Sequence, residues 1–304
     1  MRELDNSAGI LAMAATAFLW SLAGLFIKVI DWNPFAIAGL RSLVASLVIF
    51  IFLRRPLFHF SFPQVAAAVA NAGTMLLFVS ANKTTTAANA ILLQYFAPVL
   101  TAFLGGLLLK ERPRLEHYAA LPLVTIGMIV MFFDELGSGK MLGNILAILS
   151  AGTYSLHFVF MRLQKDGSPL ESILLSHWLT AGICLLISLF LPFPQVSLEA
   201  LSAIMVLGII QIGLPAVLFS LAIKRVSAVQ ANLIAVIEPV FNPLWVFLAI
   251  GETPGRKTLL GGMIIILAVT MASVVSARRR LDVSASRPVR ESEASVSRCP
   301  TKVP

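Results

Sequence analysis

Charge is scarce in this sequence. Asp, Glu, Lys and Arg together supply 12% of its 304 residues, against about 25% in a soluble globular domain. A folded body of this size has too few charges to coat itself in water. Cysteine is scarcer still. Cys184 lies in an apolar stretch and Cys299 in a polar tail, so neither a disulfide framework nor a cysteine-rich metal site is expected. The four histidines, His59, His117, His157 and His177, fall at no metal-ligand spacing. Neither H-E-x-x-H nor G-x-S-x-G occurs, which removes the usual signatures of zinc and serine hydrolases. "GSGK" at Gly137–Lys140 lacks the first glycine of a phosphate loop, and Met141 stands where it needs Ser or Thr. Neither a metal nor a nucleic-acid partner is expected, nor a nucleotide-driven pump.

What is present is apolar side chain, 58% of the total. A membrane helix needs about 20 such residues to cross a hydrocarbon core about 30 Å thick. Ten segments qualify: 8–30, 34–53, 64–82, 87–109, 115–133, 141–162, 170–191, 198–223, 228–250 and 258–276. The first does not read as a signal peptide, because its flank is mixed in charge and further apolar segments follow at once. Prolines, glycines and charges collect in the short links between segments, which makes sequential helices antiparallel neighbours. The polar Ser- and Arg-rich stretch 277–304 reads as a disordered basic tail.

Basic residues fix an orientation. With the N-terminus inside, Arg2, Arg54, Arg55, Lys110, Arg112, Arg114, Arg162, Lys165, Lys224, Arg225 and the tail lie inside. Only Lys28, Lys83, Lys140, Arg256 and Lys257 lie outside. Both termini are therefore expected in the cytoplasm.

The chain also repeats itself. "AANAILLQYFAPVLTAFLGGLLLKERP" ends at Pro113 and "AVQANLIAVIEPVFNPLWVFLAIGETP" at Pro254. They align without gaps, pairing Ala87 with Ala228, Pro98 with Pro239, Glu111 with Glu252 and Pro113 with Pro254. A weaker echo pairs Trp20-Ser21 with Tyr154-Ser155 and Lys28 with Arg162. Segments one to five (8–133) thus recur as six to ten (141–276). An odd number of crossings inverts the second copy. Inverted repeats are a common construction of secondary transporters, with the substrate held near the midplane between them. The expected fold is an all-α polytopic membrane protein of ten transmembrane helices in two inverted five-helix repeats.

These residues resemble a known family. The Trp20-Ser21 pair, "TTAANAILLQYFAPV" at Thr85–Val99, and the "LLLKERP" and "AIGETP" endings are similar to the drug/metabolite transporter superfamily, EamA type, across about residues 8–276. The resemblance implies a bacterial inner-membrane carrier, often an exporter of amino acids or related metabolites, with a central cavity between the halves and no cofactor. The second half departs from the first at Glu238, which stands opposite Ala97.

Glu238 falls near the bilayer centre, where a charge costs about 2.5–3.5 kcal/mol on insertion scales. It reads either as a proton-coupling or amine-binding group, or as a neutral acid bonded to backbone freed by Pro239. Arg41, the one base deep within a span, is suited to a substrate carboxylate; alternatively it reaches the interface along its own stem. Trp20, Ser21, Asn71, Gln94, Tyr95, Tyr154, His157, His177, Trp178, Gln211 and Asn242 complete the candidate cavity, each also able to serve helix packing alone. Pro98, Pro239 and Pro243 are candidate kinks, as are Pro122 and Pro215. The reading is a non-enzymatic carrier of a small metabolite in the bilayer, able to act as a monomer. A receptor or scaffold is the main rival. An intramembrane enzyme lacks a nucleophile–base pair or metal cluster at one depth.

Overall fold

The computed structural model describes residues 2–108, 115–134, 140–163, 169–192, 195–222, 234–235 and 237–285. Among them the chain is helical, with no strand. In order the helices are α1 (Arg2–Trp20), α2 (Ala23–Val29), α3 (Pro34–Leu53), α4 (Phe62–Thr84), α5 (Ala87–Gln94), α6 (Ala97–Leu108), α7 (Leu115–Asp134), α8 (Met141–Leu163), α9 (Pro169–Ser188) and α10 (Leu198–Met205). A π-helical segment, Val206–Gly213, leads into α11 (Leu214–Ala222), followed by α12 (Ile237–Ile250) and α13 (Arg256–Ala285).

Seven stretches of the described residues are long and apolar enough to cross a membrane: Ala8–Val29, Pro34–Leu53, Phe62–Thr84, Ala87–Gly105, Met141–Met161, Pro169–Ser188 and Leu198–Ala222. Ile237–Ile250 is a shorter apolar helix, and α7 and α13 fall on the two other expected segments. The molecule is inside-out relative to a soluble protein. Large apolar side chains such as Ile51, Leu107 and Leu186 point outward, while Ser42, Asn71, Thr74, Asn144 and Ser155 are buried. Such a surface needs hydrocarbon as its solvent, and the protein is a multi-pass membrane protein.

Two expected single spans are each two helices. The first breaks at Ser21-Leu22, where neither Pro nor Gly forces it. The carbonyls released there find side chains: Ser21 Oγ donates to Phe18 O at 2.6 Å and Gln211 Nε2 to Trp20 O at 3.4 Å. The fourth span breaks at Tyr95-Phe96. Pro98 is the second residue of α6 and Pro239 the third described residue of α12. Pro98 sits in a first turn, where a missing N–H costs nothing, so it begins a helix rather than bends one. Pro243 and Pro122 lie inside α12 and α7.

The expected span 198–223 carries the π-segment, closed by Leu214 N–H bonding Ile209 O. It packs on α3 through glycine: a Cβ on Gly208 would stand 2.4 Å from Val44 Cβ, and one on Gly213 2.8 Å from Val48 Cβ. The tail also differs from expectation. α13 continues past residue 276 through Arg278–Arg280 to Ala285, since Ala, Arg and Leu are good helix formers. Residues 286–304 lie outside the described residues.

The packing pairs follow a pattern. Numbering the expected segments 1 to 10, segment 3 packs on 6 (α4 on α8), and 8 on 1 (the π-segment and α11 on α1). Segment 3 packs on 7 (α4 on α9), and 8 on 2 (the π-segment on α3). Segment 4 packs on 6 (α5 and α6 on α8), and 9 on 1 (α12 on α1 and α2). Segments 2 and 7, and 5 and 10, pack on each other. In the last pair a Cβ on Gly127 of α7 would lie 2.7 Å from Gly261 O of α13.

Candidate functional site

The break in the first span gathers one group of the expected residues. Trp245 Nε1 donates to Ser21 Oγ at 2.9 Å, and Phe18, Phe241 and Trp245 form a three-ring cluster with centroids 5.5–5.8 Å apart. Trp20 packs against Phe219 with the ring planes tilted by 41°. Gln211, presented by the π-segment, bonds Trp20 O through its nitrogen and leaves Oε1 without a partner. Asn242 is fully buried, and among the described residues neither of its amide atoms has a hydrogen-bond partner. It faces Gly24 so closely that a Cβ there would lie 2.3 Å from its Oδ1.

A second group forms at the other break. Gln94 Nε2 donates to Ser150 Oγ at 2.6 Å, and Ser155 Oγ to Ala97 O at 2.8 Å. These two bonds tie the interrupted fourth span to α8. The Tyr95 hydroxyl donates to Ala235 O. Glu238 lies within electrostatic range of both Tyr95 and Tyr154 and is half-buried. Among the described residues its carboxylate has no hydrogen-bond or ion-pair partner, and the alternative reading, a bond to backbone freed by Pro239, is not seen among them. Tyr154 packs edge-on against Phe158 at 4.8 Å.

The third group lies between α3, α4, α8 and α9. Asn71 Nδ2 donates to Ser176 Oγ at 2.7 Å, and His157 Nδ1 is 2.8 Å from Ala67 O. Arg41 is 1% exposed and does not reach an interface along its stem, contrary to that alternative. Its guanidinium bonds Met75 Sδ at 3.5 Å, leaving Nε unpartnered. His177 is equally buried, with Nδ1 unpartnered. Trp178, the next residue, belongs to none of these groups. It is 40% exposed and rests on Phe50 and Phe58 at the outer surface.

A fourth cluster was not anticipated as a unit. At one end of the bundle Glu252 follows α12 directly, placed by Gly251, whose positive φ of 71° ends the helix. Its Oε2 lies 2.9 Å from Lys28 Nζ, and its Oε1 accepts from Ala87 N, the first residue of α5, at 2.8 Å. Lys28 Nζ also donates to Thr85 O at 2.6 Å. Beneath this ion pair, Thr85 Oγ1 and Asn89 Nδ2 both donate to Asn144 Oδ1, and Thr258 Oγ1 donates to Asn89 Oδ1 at 2.9 Å. Lys28, Thr85, Ala87 and Asn89 precede residue 133, whereas Asn144, Glu252 and Thr258 follow 141. The network therefore ties the first half of the chain to the second.

A sequence model of the EamA-like transporter family matches residues 7–133 and 141–274. The chain belongs to the EamA-like transporter family. One similar protein is an "Uncharacterized transporter" of Archaeoglobus fulgidus, 30% identical over 266 residues, covering 86% of this chain and 94% of the other. Another, from Synechocystis, is also named an uncharacterized transporter; it is 25% identical over 248 residues, covering 76% of this chain and 70% of the other. A solved crystal structure matches with a TM-score of 0.64 at 21% identity, covering 90% of this chain and 98% of that one, a likeness of fold. In this EamA-like chain, Lys28 and Glu252 had signals in the sequence, as the repeated Lys/Arg at a span end and the repeated Glu-x-Pro. Asn89, Asn144 and Thr258 had none, because an amide or hydroxyl near a span end is ordinary.

Proposed function

We propose that this protein is a secondary transporter carrying a small organic metabolite across a bacterial cytoplasmic membrane by alternating access between two inverted five-helix repeats, 8–133 and 141–276. The observation that carries this reading is the packing pattern. Exchanging each segment n with n + 5 turns 3-on-6 into 8-on-1, 3-on-7 into 8-on-2 and 4-on-6 into 9-on-1, and leaves 2-on-7 and 5-on-10 unchanged. A chain with two related halves and a pseudo-twofold axis in the membrane plane packs this way. The family match and the transporters among its relatives support the same class.

The groups around the two interrupted spans lie between the halves and form the proposed substrate site. Trp20, Ser21, Tyr95, Tyr154, Gln211 and Asn242 supply aromatic surface and unsatisfied amide atoms there. Glu238, without a partner among the described residues, is the proposed proton-coupling group. On the basic-residue count, the Lys28–Glu252 end faces outward and both termini are cytoplasmic. The latch then closes the outer side. Export of an amino acid or a related metabolite is the activity the family resemblance favours.

Counterflow in proteoliposomes tests the class. Vesicles preloaded with single amino acids should concentrate the matching labelled compound transiently. Binding without counterflow across the whole panel supports a receptor instead. Glu238→Gln should abolish uptake driven by a pH gradient while sparing exchange; driven uptake that survives intact removes the coupling role.

A further inference from the structure

We infer that Arg41 and His177 form an anion-binding subsite, and that the transported molecule carries a carboxylate which the Arg41 guanidinium receives. The inference names a substrate class for the carrier proposed above and so rests on that reading.

Arginine is charged at any physiological pH, so its burial requires a counter-charge or a set of neutral acceptors. Arg41 has neither among the described residues. The hydrogen bond to its guanidinium is from Nη2 to the Met75 thioether at 3.5 Å, a weak acceptor, and Nε has no partner. No carboxylate pairs with it. The groups within electrostatic reach are His177, itself within reach of His157, and the Cys184 thiol. Imidazoles supply no negative charge, and a thiol is ordinarily protonated at neutral pH. His177 adds an unpartnered buried Nδ1. Two buried basic side chains, on the packed helices α3 and α9, thus have open hydrogen-bonding atoms and, among the described residues, nothing anionic to satisfy them.

A purely structural arginine in such surroundings would be expected to bond carbonyls or a carboxylate, as Lys28 and Lys83 do. Lys28 has Thr85 O and Glu252, and Lys83 has Ile30 O at 2.8 Å. What Arg41 lacks is a planar acceptor with two oxygens, the shape the guanidinium fork fits best. A substrate carboxylate and a chloride ion could each supply the charge, but only the carboxylate uses the fork.

The test is thermal unfolding of the full chain in detergent at constant ionic strength held by a bulky sulfonate. The probes are acetate, propanoate and a panel of amino acids, each set against its neutral amide, and chloride. Wild type should be stabilised by at least one carboxylate and not by its amide. Arg41→Met keeps the length and removes the unpaired charge, so it should be at least as stable without ligand and should lose the response. Arg41→Lys keeps the charge without the fork and should bind the carboxylate about ten- to a hundredfold more weakly. Equal stabilisation by carboxylates and amides overturns the inference, as does a full response in Arg41→Met. If that variant does not fold, a wild-type response in Arg41→Lys overturns it alone. Stabilisation by chloride as strong as by every carboxylate overturns the substrate assignment. Counterflow is measured separately: an intact carboxylate response with no counterflow refutes the carrier reading and leaves the anion subsite standing.

Discussion

The Lys28–Glu252 latch makes a quantitative prediction. The side chains are 17% and 24% exposed, so their attraction is partly screened, and an exposed pair of this kind contributes about 0.2–1 kcal/mol. Glu252 does more than pair. It accepts the first N–H of α5 at 2.8 Å, a charge-assisted bond at a helix N-terminus that adds about 0.3–1 kcal/mol through the helix dipole. Glu252→Gln removes both charge terms while keeping an acceptor oxygen, so the closed latch should lose about 0.5–2 kcal/mol. If the latch exists only when this end is closed, the balance between closed and open forms shifts about two- to thirtyfold. A reporter lies nearby: Ala90 is one turn further along α5 and fully buried. In a background carrying Cys184→Ser and Cys299→Ser, Ala90→Cys should react slowly with a membrane-impermeant maleimide applied from outside. Adding Glu252→Gln should raise that rate by the same factor, and Lys28→Met should raise it less. In a double-mutant cycle the coupling should be about 0.2–1 kcal/mol. An unchanged labelling rate in Glu252→Gln, with the protein folded, would mean that this network holds the fold together and gates nothing.

Other predictions concern packing. Gly208→Val should destabilise the protein by about 1–3 kcal/mol in detergent denaturation, because its Cβ would stand 2.4 Å from Val44 Cβ; Val44→Ala should recover part of the loss. Trp245→Phe should cost about 1 kcal/mol by deleting the donor to Ser21 Oγ while keeping the ring cluster, and the thermal midpoint should fall accordingly. Gly127→Ala should weaken the α7–α13 crossing, since a backbone oxygen, Gly261 O, stands 2.7 Å from the new methyl and cannot rotate away.

The spans were legible because hydrocarbon imposes one rule on the whole surface. Helix ends at Pro34–Leu53 match the sequence reading, and most other described ends lie within one residue of it. The interruption at Tyr95-Phe96 had Pro98 as a marker. The one at Ser21-Leu22 had none, since what stabilises it is Gln211, brought 190 residues back along the chain by folding. The π-segment was invisible for the same reason: its register is set by Gly208 and Gly213 against α3, and a hydropathy pattern does not record i→i+5 bonding. Trp178 shows the limit of reading aromatics. Ser172, Ser176 and Thr180 recur every four residues and mark the buried face of α9, and Trp178 lies about 200° round from Ser176, so residue type pointed inward where helix position pointed out. The latch was not legible because Lys28 and Glu252 are brought together only by folding, and a charge at a span end carries no mark of its partner.

The π-segment also has a consequence for chain length. A helix bonded i→i+5 holds surplus backbone relative to its α-helical neighbours. Deleting a single residue from an α-helix turns everything beyond it by about 100°, which in a membrane bundle would face the wrong side chains to lipid. Between Val206 and Gly213 the surplus can absorb such a deletion. The turn tightens to α, and α11 keeps its facing toward α1. This part of the eighth span holds slack that the described unbroken α-helices, such as Pro34–Leu53 and Met141–Leu163, do not have.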